Sequence, residues 1–162
     1  LHELNQRAAA AFRDNPLFGT HRAARAEENV VAPPAEAPGA FEWMTYGEYG
    51  ERVARCRTVL RDIGIGEYDK IGLISNNRWE WAALASAAYS LNAAIVPMYE
   101  TQLPKDWTYI LNDSQCAALF CSTESIFVKA LKETLPNAPC VRDAFCFDTP
   151  TGEPHSLATS LA

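Results

Sequence analysis

The sequence has no basic cluster, no C-x-x-C pair of cysteines and no secretory leader, and each absence excludes something. Its 14 Lys and Arg are outnumbered by 20 Asp and Glu, for a formal net charge of −6. Without a positive stripe, nucleic-acid binding has no electrostatic footprint. Cys56, Cys116, Cys121, Cys140 and Cys146 lie at irregular spacings and never as C-x-x-C. That scatter argues against a disulfide framework or a zinc site and predicts reduced thiols in an intracellular protein. His2, His21 and His155 fall outside the periodic segments, so nothing points to a Cys–His catalytic pair. No charged start followed by an apolar core marks a signal peptide, and Leu1 in place of methionine predicts that the chain begins inside a longer reading frame. Trp81 to Tyr99 is uncharged, but Ser86, Ser90, Asn92 and Pro97 interrupt it. A membrane span needs about 20 predominantly apolar residues, so this stretch is expected to be a buried helix followed by a buried strand, with a transmembrane span as the lesser alternative.

What is present is a globular composition. Of 162 residues, 48% are hydrophobic and 21% charged, enough for one domain with a real core. Leu4, Ala8, Ala11 and Phe12 share a helical face that Asn15-Pro16 ends. "LFGTHR" and "FEWM" read as two extended pieces able to pair across the proline-rich "ENVVAPPAEAPGA". Residues 45–63 form the clearest helix, opened by a Thr45/Glu48 capping box. Its buried stripe is Tyr49, Val53, Cys56, Leu60 and Ile63. Glu48 with Arg52 and Glu51 with Arg55 are expected to pair on its outer face, and Gly64 is expected to end it in a left-handed turn.

Beyond Gly66 the pattern alternates. "KIGLIS", "AAIVPM", "AALFCS" and "VRDAFCF" are apolar strand runs, separated by helices over residues 78–91, 104–113 and 124–134. Continuous apolar strands imply a parallel sheet covered on both faces. The fold class is therefore α/β, a doubly wound parallel sheet with flanking helices.

In such sheets ligands bind beyond the carboxyl ends of the strands. Those ends carry Ser75, Asn76 and Asn77; Tyr99, Glu100 and Thr101; and Ser122 and Thr123. The same residue types are what strand-to-helix loops need for capping. "GIGEYDKIG" precedes its strand and has Asp69 at the third glycine position, so it is no dinucleotide fingerprint. "TPTGEP" lacks the lysine of a P-loop. A phospho-receiver site would need carboxylates for magnesium at the first strand end, where Asn76 and Asn77 stand. "NNRWEW" reads as a helix start, Asn77 capping and Glu80 completing a box. Trp79 and Trp81 then belong to packing faces of an alanine-rich buried helix.

Taken in order, "WMTYGEYGERVARCRTVLRDIGI", "DKIGLISNNRWEWAALASAAYSLNAAIVPMYETQ", "WTYILNDSQCAALFCST" and "LKETLPNAPCVRDAFCFD" resemble the adenylate-forming acyl-CoA synthetases. Within them "NNRWEW" and "VPMYET" are similar to motifs of the long-chain fatty acid–CoA ligases. Asn77, Arg78, Glu80 and Trp81 match the first motif, with Trp79 where that family often has proline, a residue suited to a helix first turn. The likeness covers roughly residues 41–148. It divides the chain into a leader of residues 1–40 (helix, short strand, proline-rich loop) and an incomplete AMP-binding domain over 41–162.

The resemblance implies a ligase that uses ATP and Mg²⁺ to turn a fatty acid into an acyl-adenylate, then passes the acyl group to coenzyme A. The family's phosphate-cradling Ser/Thr/Gly-rich loop, acidic motif and lysines are not among these residues. No catalytic, cofactor-binding or metal-binding position is therefore assigned, and the 162 residues alone are expected to bind none of ATP, Mg²⁺ or coenzyme A. A ligase for another carboxylate, or a stand-alone α/β binding module, are the rival readings. The resemblance also leaves open peripheral association with an internal membrane; no oligomeric state is legible.

Overall fold

The computed structural model describes residues 2–21 and 40–161, which divide into two compact units, Glu3–Glu51 and the chain from Arg52 onward. Most of the proline-rich loop lies outside the described residues.

In the first unit, helix α1 (His2–Ala11) leads to strands β1 (Pro16–His21) and β2 (Phe41–Thr45), and helix α2 (Tyr46–Asp62) begins. The two strands pair antiparallel, as the sequence suggests, with Gly19 opposite Trp43 and His21 opposite Phe41. The capping box forms: the Thr45 amide donates to Glu48 at 2.8 Å and the Glu48 amide to Thr45 Oγ1 at 3.2 Å. The Tyr46 and Gly47 amides donate to the carbonyls of Asn15 and Arg13, so the first turn of α2 leaves none of these amides unpaired. Gly50 faces Ala9 so closely that a Cβ there would lie 2.8 Å from the alanine methyl. The expected helix forms, but no residue of it is fully buried, and Leu4 and Phe12 are 65% and 52% exposed.

The second unit is the α/β body. Strands β3 (Lys70–Ile74), β4 (Ala94–Met98), β5 (Ala118–Cys121) and β6 (Asp143–Cys146) alternate with helices α3 (Trp79–Ser90), α4 (Pro104–Ser114) and α5 (Glu124–Glu133), and a short α6 (Leu157–Ser160) follows. All neighbouring pairs are parallel, in the order β4-β3-β5-β6. The chain leaves β3 toward one flank and β5 toward the other, so the winding reverses between them. β3 and β5 are buried nearly throughout, but β4 is an edge strand with Ala94 and Pro97 exposed. Proline is tolerated at such an edge because its missing N–H breaks no ladder on both sides.

Side chains alternate across the sheet. Ile74, Met98, Leu119, Cys121 and Cys146 pack with Trp107, Leu111, Phe127 and Ala130 of α4 and α5 in one core. Trp107 is fully buried and its indole N–H donates to the Tyr99 carbonyl at 3.0 Å. Phe120 points to the other face and stacks on Phe145 at 5.1 Å. Of the α2 stripe, Val53, Cys56 and Leu60 are buried, while Tyr49 and Ile63 are only half-buried. Glu51 pairs with Arg13 rather than Arg55, which instead donates to the Leu161 carbonyl. Gly64 takes φ +79° and Asn92, which turns the chain into β4, takes φ +56°. The uncharged stretch divides into α3 and β4 as expected, but β4 lies at the sheet edge and only Met98 of it is fully buried, and no helix among the described residues is long and apolar enough to cross a membrane.

Gly72 sets the depth of the α4 layer: a Cβ there would sit 2.8 Å from Leu111, 3.0 Å from Met98 and 3.2 Å from Leu119. Gly72→Ala is therefore expected to lower the unfolding free energy by about 1–3 kcal/mol, the usual cost of overpacking. Urea titration checks this; an unchanged midpoint would mean that the layer yields freely.

Candidate functional site

The polar residues at the carboxyl ends of β3, β4 and β5 converge where the winding reverses. Glu100, just past β4, accepts from the Asn76 backbone amide at 3.0 Å and the Asn76 side-chain amide at 2.7 Å. The Ser122 hydroxyl donates to the same carboxylate. One side chain thus ties together the ends of three strands. Ser75 hydrogen-bonds the Asn76 carbonyl, Thr123 caps α5 by accepting from the Ile126 amide, and the backbone amide of the exposed Tyr99 donates to Gln102 Oε1. Asn77 and Thr101 are exposed.

Arg78 forms the second tie. It occupies the N-cap position of α3 with extended backbone (φ −141°, ψ 158°) and makes no side-chain cap. Its guanidinium donates through Nε and Nη2 to both oxygens of Glu80, at 3.2 and 3.0 Å. Nη1 reaches the Ser122 carbonyl at 3.0 Å and Asp148 at 2.8 Å. The ring of Phe147 lies 5.5 Å from the guanidinium carbon. Burial by itself would lower the arginine pKa, but the Glu80 hydrogen bonds and charge, then those of Asp148, outweigh it and raise the pKa above its ordinary value. Arg78 stays a cation.

The arrangement corrects one sequence expectation. Asn77 and Glu80 do not form a capping box; the helix starts one residue later, with Arg78 as its N-cap. A buried carboxylate next to a guanidinium gains a two-point charged hydrogen bond, which outcompetes the amide cap. Trp79 and Trp81 are half-buried, and Arg52 of α2 stacks over Trp79 at 4.3 Å. The tryptophans pack, as their spacing indicates. Asp148 and Phe147 went unassigned in the sequence, although "FCFD" puts an acid directly past a strand end, as in the other clusters.

Chemically this is a brace. All three guanidinium nitrogens of Arg78 and both carboxylate oxygens of Glu100 are held by the chain itself. Among the described residues no group of three or more His, Cys, Asp and Glu is placed to hold a metal ion. A separate open groove of about 530 Å³ is lined by Leu103, Pro104, Lys105, Thr108, Glu133 and Asn137, residues of the α4 and α5 layer rather than of the strand ends.

The family model of the AMP-binding enzymes matches residues 20–160. Fatty acyl-CoA synthetase B of Dictyostelium discoideum is 31% identical over 126 residues, 76% of this chain and 18% of that protein. The peroxisomal long chain acyl-CoA synthetase 6 of Arabidopsis thaliana is 31% identical over 142 residues, 88% of this chain and 18% of its own length. This chain thus spans about a fifth of the curated relatives it matches. Among solved structures, the N-terminal domain of FACL13 from Mycobacterium tuberculosis superposes with a TM-score of 0.76 at 20% identity, covering 99% of this chain and 35% of that one.

Two measurements probe the brace. Arg78→Ala strands Glu80, whose side chain is 11% exposed, and is expected to cost roughly 3 kcal/mol of stability. Asp148→Asn, at a partner 43% exposed, is expected to cost less than about 1 kcal/mol. Urea unfolding of both variants decides; equal costs would shift the weight to the exposed arm.

Cys56 gives a pH signature. Burial, and secondarily the Glu80 charge, push its thiol from 9.0 up to about 12. Below the unfolded value both states keep the proton; as pH rises from there toward the folded value only the unfolded chain ionises, so stability falls across that window. Cys56→Ala is expected to flatten this fall without abolishing it, because Cys116 and Cys121 are also shifted upward by burial. Urea midpoints taken as pH rises above about 8 test it, and an unaltered slope would refute the assignment.

Proposed function

The chain belongs to the AMP-binding enzyme family, and from that membership we propose that it forms the opening α/β scaffold of a long-chain fatty acid–CoA ligase. In the proposed reaction ATP, assisted by Mg²⁺, converts the fatty acid carboxylate to an acyl-adenylate with release of pyrophosphate. The coenzyme A thiol then displaces AMP. The observation that carries this reading is the 31% identity to a fatty acyl-CoA synthetase over three quarters of the chain.

The site geometry supports a scaffold role within that reaction. Adenylation needs backbone amides and cations aimed at developing phosphate charge. Here the best-placed cation, Arg78, is paired with Glu80, Asp148 and the Ser122 carbonyl. We therefore assign no catalytic, cofactor-binding or metal-binding residue to these 162 positions. The AMP-binding domain proper is read as beginning near residue 41 after a leader, although the family match reaches back to residue 20. An intracellular setting is proposed as well, supported by five unpaired cysteines, four of them buried.

Calorimetric titration of Mg²⁺-ATP into the purified chain is expected to give no saturable heat. Tight, Mg²⁺-dependent ATP binding by the monodisperse 162-residue protein would sink the scaffold reading in favour of a self-sufficient binding module. Sequencing across the locus tests the ligase reading separately: a Ser/Thr/Gly-rich loop with its lysine is expected in the same frame, and a locus without one overturns it.

A further inference from the structure

We draw no further inference here: the strongest candidate, the ion-pair cluster of Arg78, Glu80 and Asp148 at the carboxyl ends of β3, β5 and β6, belongs to the site already described and has each guanidinium nitrogen committed to an acceptor of the chain itself.

Discussion

The α/β body depends on keeping one guanidinium charged and satisfied at a half-buried position. Arg78 meets a carboxylate of its own helix, a carbonyl at the end of β5 and a carboxylate past β6. A cation placed there without partners would face a desolvation cost of several kcal/mol; with them it joins elements that are far apart in the chain. Glu80 in turn sits close enough to α2 for its charge to add to burial in raising the Cys56 thiol pKa. Glu100 complements this tie by uniting the ends of β3, β4 and β5 through hydrogen bonds rather than ion pairs.

The position of these ties matters for function. An open α/β sheet offers its ligand crevice where the winding reverses, and here that crevice lies between β3 and β5. Polar side chains collect at that end for two reasons: loops need capping groups, and ligands need donors. In this chain the first reason accounts for Ser75, Asn76, Glu100, Ser122 and Thr123, whose hydrogen bonds run to neighbouring loops and helix ends. A sheet whose reversal point is braced by its own side chains holds neighbouring elements at fixed spacing, which is consistent with the scaffold role proposed above.

Local rules made the elements legible. The Thr45/Glu48 box, the left-handed turn at Gly64 and the apolar strand runs all involve residues a few positions apart. The α/β class and the four parallel strands followed from them. Three features escaped. Glu80 turned from the expected cap to Arg78 because a charged, two-point bond outweighs an amide cap. Asp148 is reached only by a contact spanning 70 positions of sequence, which no local pattern encodes. The apolar side of α1 stayed largely exposed, since periodicity tells which residues share a face but not whether anything covers it.

Helix α3 has seven buried residues in twelve, four of them alanine. Such a helix has little room to vary. Any added methyl must be accommodated by the sheet beneath it or by α2, so a larger side chain needs a matching reduction elsewhere. Space for a larger side chain lies at the rim: at Tyr89, the exposed member, and at the entry around Trp79, whose ring lies under Arg52. A segment limited by volume on nearly every side is therefore set by the size of its residues as much as by their polarity.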